Sequence, residues 1–384
     1  MHRRSWIKGV ALGAAQLLLL RRVRSAPAAA PSPLRRRIRP GDPKWPSAAK
    51  WEKLKADVGG NLVPVKAPFA DCASEATSAS CADALKNIQN PFFIGDQPGG
   101  TQVSGWLDAW TPQPSAYAVA AHDATHVAAA VNFARKNDLR LVVKGGAHSY
   151  LGTSNAPDSL LVWTRAMNAV TLHDAFVPKN GEGRVAPSTA VSAGSGCMWI
   201  DLYEAVTTKA GRYVQGGGCT SVGVAGLVQS GGFGSSSKGF GTAAAGLLEA
   251  EIVTADGEIR IANAWSNPDL FWALKGGGGG SWGVVTRVTL RTHDLPEFFG
   301  YAGATITAKS DAAFRQLIAR FVAFYRENLF NPHWGEQAKI HPKNAIEISM
   351  VSQGLAGSEI ERVWKPLLDW AKGSADFVVT DDYL

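Results

Sequence analysis

The sequence predicts an α+β protein: a small parallel strand–helix–strand unit, then a hairpin-rich part, then antiparallel strands with amphipathic helices. Three patterns carry that prediction. Short apolar runs at 116–121 (AYAVAA), 140–146 (RLVVKGG) and 160–164 (LLVWT) are bounded by turn residues and read as buried strands. Between the first two lies DATHVAAAVNFARKND, with apolar residues at helical spacing and Asp123 placed to cap the helix. After Leu295-Pro296 the strand-like runs YAGATITA and AIEISMVSQ each stand beside a stretch of helical period.

The N-terminus comes first. Residues 1–30 hold Arg3, Arg4, Lys8, Arg21, Arg22 and Arg24 and no acid, whereas the rest of the chain has 33 basic against 32 acidic residues. Six of the seven net positive charges therefore belong to the N-terminus, and a near-neutral body speaks against a nucleic-acid or membrane-surface partner. Arg3-Arg4, then Ser5, Trp6, Ile7 and Lys8, an apolar segment, a basic cluster and the small residues Ala26–Ala30 resemble a twin-arginine export signal. Lys8 and Gln16 interrupt the apolar run, while a membrane anchor needs about 20 continuous apolar residues. Such a signal implies the twin-arginine machinery as a partner, no stable membrane anchor, and a periplasmic or secreted protein that folds before transport.

Residues 31–60 are rich in Pro and Arg and read as a linker, and 31–95 as a linker plus N-terminal segment. Cys72 and Cys81 in DCASEATSASC suit a small disulfide loop or two free thiols, and the export signal favours the disulfide. Cys197, beside a helix start, reads as a buried small residue. Only Cys219 of the four cysteines then lacks a structural reason.

Further along, strands are expected at 184–195 and 212–216 around a helix near 199–210. LLEAEIVTADGEIRIA (247–262) reads as a hairpin turning at Asp256-Gly257. DLFWALKGG is a short helix ending in glycine, and GVVTRVTLRTH (283–293) alternates like a half-buried strand. DAAFRQLIARFVAFYREN and SEIERVWKPLLDWAKG are amphipathic helices, and the domain boundary falls near 296. With 384 residues, 46% of them hydrophobic, about two domains are expected.

The 41 glycines cluster at 216–218, 231–234 and 276–280, as turns that admit a ligand do, rather than as a repeat. KGGAHSYLG (144–152) follows a buried strand directly, and consecutive N–H groups in such a turn form a nest for pyrophosphate. The candidates there are Lys144, Gly145, Gly146, Ala147, His148, Ser149 and Gly152. GGGCTSVGVAGLVQSGGFG (216–234) adds Gly218, Cys219, Val222, Gly223, Gly226, Gly232 and Gly234, where a flat ligand can approach the backbone. No GxGxxG joins a strand to a helix with an acid about 20 residues on, so this is not a Rossmann fingerprint.

In order, KGGAHSY, GGGCTSVGVAG, GGFG, VTADGEI and DLFWALKGGGGGSWGVVT resemble the flavin-linked oxidases with a PCMH-type (vanillyl-alcohol-oxidase-like) FAD domain, within them the berberine-bridge-enzyme-like group. The resemblance covers roughly 95–297. It implies a FAD-binding domain of two α/β subdomains at 96–296, and at 297–384 the start of a substrate-binding domain of antiparallel sheet plus helices. By resemblance, the glycine-loop candidates and Ile252 in the hairpin line the cofactor. His148 takes the flavin 8α-methyl position and Cys219 the C6 bond, which makes the FAD bicovalent. The implied activity is that of an oxidase taking hydride from an alcohol, sugar or aryl alcohol to flavin N5, with O₂ as acceptor and hydrogen peroxide as product. No metal is implied. Tyr150 matches a position facing the substrate, or else is a packing aromatic; Val222 matches the residue governing oxygen access.

Two other readings stay open: a flavin dehydrogenase with a non-oxygen acceptor, and a secreted flavin- or carbohydrate-binding protein with little turnover. Thirteen tryptophans are compatible with sugar stacking, although Trp272 falls at an apolar-face position. Ala147 replaces a glycine common in the first loop and requires a negative φ there. Ala245-Gly246 and Leu227 depart from the Asp-Asn and His of many relatives. Only 88 residues follow Pro296, so a chain ending at Leu384 is expected to lack the usual catalytic base, bind flavin weakly and associate through an open sheet edge.

Overall fold

Trp51, Leu54 and Val58 recur at helical spacing, and in the computed structural model they are the buried side of helix α1 (Ala48–Asp57) and its C-cap. The structure describes residues 36–102, 110–111, 113–335 and 337–384; the expected export signal at 1–30 lies outside them. Helix α1 corrects the reading of residues 31–60 as a linker. Composition hid an apolar stripe: Trp51 packs on Tyr117 and Phe133 with ring centroids 4.4 and 4.7 Å away. Full burial of Leu54 alone contributes roughly 1.5–3 kcal/mol.

From α1 the chain enters β1 (Leu62–Pro64), which pairs antiparallel with β2 (Tyr117–Ala120). Among the described residues three short helices lie between them, and Cys72 and Cys81 are bonded to each other there. Strands β2 and β3 (Arg140–Lys144) both run parallel to β4 (Ser159–Trp163), which sits between them in the order β1-β2-β4-β3. Helix α2 (Ala124–Lys136) starts at Asp123, whose carboxylate accepts from the amides of Thr125 and His126 at 2.8 and 3.0 Å. The Thr125 hydroxyl, at 2.6 Å, and then the His126 amide hold the Asp123 pKa below its ordinary value. Val127, Ala130 and Val131 of α2 share one core with Leu160 and Val162 of the first sheet and Val253 and Val284 of the second. Helix α2 is thus the layer between two sheets.

The second sheet is antiparallel, in the order β5 (Val170–Phe176), β6 (Ser188–Gly194), β10 (Val284–Arg291), β8 (Leu247–Val253), β9 (Ile259–Asn263). The β8–β9 hairpin turns through Asp256-Gly257, with Gly257 at φ 85°. The strand expected at 184–195 shortens to β6, and that at 212–216 to β7 (Arg212–Tyr213), which pairs with β11 (His293–Asp294). Strand β5 is absent from the sequence reading because it lies at the sheet edge, with most of its residues exposed or half-exposed. Helices α3 (Trp199–Tyr203, running into a π turn at Glu204–Lys209), α4 (Val224–Gln229) and α5 (Pro268–Leu274) complete this part.

A third sheet centres on β12 (Phe299–Ala308), flanked by β15 (Ala345–Gln353) and β16 (Phe377–Tyr383), with β13 (Trp334–Gly335) and β14 (Ala338–His341) on β15. Helices α6 (Asp311–Phe324) and α7 (Gly357–Lys372) bury Leu317, Trp364 and Leu367 against Ile306, Ile348 and Met350 of its inner face, a core of its own. Alternation leaves Phe299, Tyr301, Val351 and Tyr383 exposed. Residues 38–384 form one compact unit. Among the described residues no helix is long and apolar enough to cross a membrane.

Candidate cofactor site

Two loops meet where glycine permits backbone to touch backbone. A Cβ added at Gly146 would stand 2.5 Å from the Gly223 nitrogen, and one added at Gly223 would stand 2.8 Å from the Gly146 nitrogen. The first loop leaves the C-terminal end of β3; the second precedes α4 and is pinned from below. The amides of Trp199 and Ile200, at the start of α3, donate to the carbonyls of Val222 and Thr220, each at 3.0 Å. The Tyr203 hydroxyl donates to the Gly217 carbonyl at 2.5 Å.

This contact brings His148 and Cys219 together on one residue. His148 Nε2 lies 3.1 Å from Ser221 Oγ, and Cys219 Sγ lies 3.6 Å from the same oxygen. Ser221 is buried, His148 half-buried, and Cys219 an exposed free thiol. Burial holds the imidazole below its usual pKa, against a smaller opposite pull from the Ser221 carbonyl, so His148 is neutral at pH 7. Cys197 is a contrast: burial, with Asp201 adding to it, pushes that thiol up to about 12 and leaves it inert. A Cβ at Gly218 would meet nothing within 4 Å, so open space lies directly beside Cys219. Glycine backbone beside open space, bordered by a thiol and a neutral imidazole, fits a flat cofactor.

The other candidates fall into distinct places. Ser149 Oγ bonds Thr153 Oγ1 at 2.7 Å within the first loop. Gly152, at φ 70°, backs onto the Trp110 ring, whose Nε1 donates to the Tyr150 carbonyl at 2.8 Å. Tyr150 is 62% exposed, at the surface of that loop. Gly145 lies against the Ser195 carbonyl. Val222 is half-buried against the second sheet's core. Gly226 is exposed on α4, while a Cβ at Gly232 would collide with Leu227 and one at Gly234 with the Gly216 carbonyl, so both serve loop packing.

Three readings are corrected. Lys144 is buried, and its ammonium donates to the carbonyls of Gln97, Pro98 (2.7 Å) and Gly100 (3.2 Å). All three of its hydrogens are occupied, so it clamps segment 97–100 rather than a phosphate. Burial pushes its pKa down to about 7, against an upward pull from Asp96. Ile252 has no exposed surface; it belongs to the core, not to the cofactor lining. Ala147 has φ +64°, not the negative value expected, because the backbone must turn there to bring His148 over Ser221. Ser221 itself went unread, although a hydroxyl two residues after Cys219 in CTSVG was the available signal.

Comparison with known proteins agrees with this geometry. Residues 114–263 match the FAD binding domain family. The chain is 36% identical over 282 residues to the FAD-linked oxidoreductase malF of Malbranchea aurantiaca, covering 68% of this chain and 48% of that protein. It is 35% identical over 286 residues to the FAD-linked oxidoreductase penH of Penicillium thymicola, covering 69% and 49%. The fold superposes on the VAO-type flavoprotein MtVAO615 of Myceliophthora thermophila C1 with TM-score 0.74 and 25% identity, covering 90% of this chain and 66% of that one. The chain thus carries a FAD binding domain and is similar to FAD-linked oxidoreductases and to a VAO-type flavoprotein. This flavoprotein chain spans about half the length of the curated relatives it matches. The family match, 114–263, contains both glycine loops and the β8–β9 hairpin.

Proposed function

We propose that this flavoprotein chain holds FAD through bonds from both His148 and Cys219 and works as an oxidase of alcohols, sugars or aryl alcohols, with O₂ as electron acceptor. The observation that carries the reading is convergence: His148 reaches Ser221 across 73 residues of chain, and Cys219 lies against the same hydroxyl. When bound, FAD supplies the two-electron chemistry that no side chain of the protein can. Neutral His148 offers a ring nitrogen to the flavin edge, and Cys219 a thiol from the exposed side. On attachment each residue would give up one hydrogen, from the His148 ring or the Cys219 thiol, with O₂ as the two-electron oxidant for each bond. Tyr150, exposed on the first loop, is the candidate to accept or hold the substrate hydroxyl proton. Val222, small and β-branched, leaves a path for oxygen beside Cys219. Export by the twin-arginine route completes the reading, since that route carries proteins already folded around a cofactor.

Acid precipitation tests covalency. The wild-type pellet should be yellow, His148→Ala and Cys219→Ala should each stay yellow through the other bond, and the double variant should release its flavin. A double variant that keeps acid-stable flavin removes both residues from the attachment role. A peroxide-coupled screen of sugars and alcohols then identifies the substrate, and reduction in that screen without peroxide would turn the reading to a dehydrogenase. Arg3→Lys with Arg4→Lys should trap flavin-loaded protein in the cytoplasm; normal export of that variant excludes the twin-arginine route.

A further inference from the structure

Ser221 Oγ is a buried hydroxyl shared by two groups, 3.1 Å from His148 Nε2 and 3.6 Å from Cys219 Sγ. It has one hydrogen to give and two lone pairs to offer, and two arrangements use both contacts with that hydrogen spent on one of them. In one, Oγ–H donates to Nε2 and the cysteine S–H donates to Oγ. Neutral His148 then carries its hydrogen on Nδ1, no ring lone pair is left outward, and the thiol proton is held in place. In the other, Nε2–H donates to Oγ and the hydroxyl hydrogen points at the sulfur. That leaves the Nδ1 lone pair outward and a hydrogen bond ready for a thiolate, the nucleophilic form of cysteine. The second arrangement is the one that leaves a ring nitrogen lone pair free for attachment.

The position of Ser221 is built in. The carbonyls on either side of it receive the α3 amides, and its own carbonyl lies 3.1 Å from where a Gly146 Cβ would stand. The Cys219 contact is internal to the second loop, and the backbone contact between the loops holds the His148 contact in place, so the hydroxyl is positioned with respect to both partners.

We propose that Ser221 is the positioning residue for both attachment groups: it fixes His148 as the Nε2–H tautomer, which leaves the Nδ1 lone pair free, and turns its own hydrogen towards Cys219. This rests on the functional reading above and assigns a residue that the reading does not use.

The experiment uses the full chain as purified, in the two single-attachment backgrounds. Ser221→Ala in Cys219→Ala and in His148→Ala should lower the covalent fraction of bound flavin about tenfold in each, the equivalent of one hydrogen bond to an ionised or developing charge. Total flavin retained on native desalting should stay the same, which a disrupted loop would not allow. Ser221→Thr, which keeps the hydroxyl, should restore both covalent fractions. NMR of the isolated wild-type flavopeptide should show the linkage at Nδ1, and a linkage at Nε2 overturns the proposal even if Ser221→Ala does not fold. Wild-type acid-stable flavin at both residues, with unchanged fractions in Ser221→Ala, overturns the role of Ser221 and leaves the functional reading standing. Absence of acid-stable flavin from the wild type overturns both.

Discussion

Replacing Gly146 by alanine puts the contact between the two loops under direct test. An ideal Cβ at this position stands 2.5 Å from the Gly223 nitrogen and 3.1 Å from both Gly223 Cα and the Ser221 carbonyl oxygen. All three are backbone atoms, so no side-chain rotation relieves them. Ordinary non-bonded separation is about 3.5 Å, so the loops must part by about 1 Å. Overpacking of this kind costs about 1–3 kcal/mol. The His148–Ser221 hydrogen bond, 3.1 Å long, would lengthen towards about 4 Å and be lost. In the Cys219→Ala background, Gly146→Ala should therefore lower the melting temperature in calorimetry and abolish most acid-stable flavin. Gly223→Ala meets the same contact from the other side, so the double variant should cost less than the two single effects added. Unchanged melting together with full histidyl attachment in Gly146→Ala would refute the reasoning, because the loops would then be free to separate without consequence.

Gly218→Ala adds a methyl where nothing stands within 4 Å, so melting of flavin-free protein should not change while flavin affinity falls by roughly tenfold or more; equal flavin occupancy would show that the ring lies elsewhere. Lys144→Met leaves three carbonyls without their shared donor and should cost about 3 kcal/mol or more in urea unfolding, and a loss within error would exclude the clamp. Asp123→Ala removes the α2 cap and should cost about 1 kcal/mol at neutral pH. Because the folded-state pKa of Asp123 is depressed below 3.8, its contribution is fully present above that value and is lost as pH falls through the lower, folded one. A wild-type-minus-variant difference that persists into strong acid would refute the carboxylate cap.

What the sequence made legible was local, or ordered along the chain. Asp123 heads a helix because a short acceptor next to an apolar periodic run satisfies the first free amides, a purely local effect. His148 and Cys219 were paired by the order of two glycine loops, and the fold brings them to the same hydroxyl. What stayed hidden was tertiary. Lys144 in a Gly-Gly loop has the composition of a phosphate ligand, yet its acceptors lie 44–47 residues upstream, where no spacing rule reaches. Ile252 has the same apolar alternation whether it faces a ligand or a core, and only its place between β9 and β10 decides. Ala147 was read as needing an easy backbone angle, but the requirement to set His148 over Ser221 overrides that local preference at a cost of about 1–2 kcal/mol. Helix α1 was concealed by the prolines and arginines around it.

His148 hangs from the parallel sheet and Cys219 from the body of the antiparallel one, and helix α2 is packed between those two layers. Neither half of the molecule can therefore complete the two attachments before the other has docked onto it. On the proposed attachment at both residues, cofactor loading would act as a checkpoint on assembly, because a chain carrying both bonds would be one whose halves have met in register. The same proposal would have the two bonds staple the loops together through the ring, so that pulling the layers apart would strain covalent links rather than only shed packing. Loading would then be a one-way step, in which a transient docking of two sheets is made permanent by the group they hold.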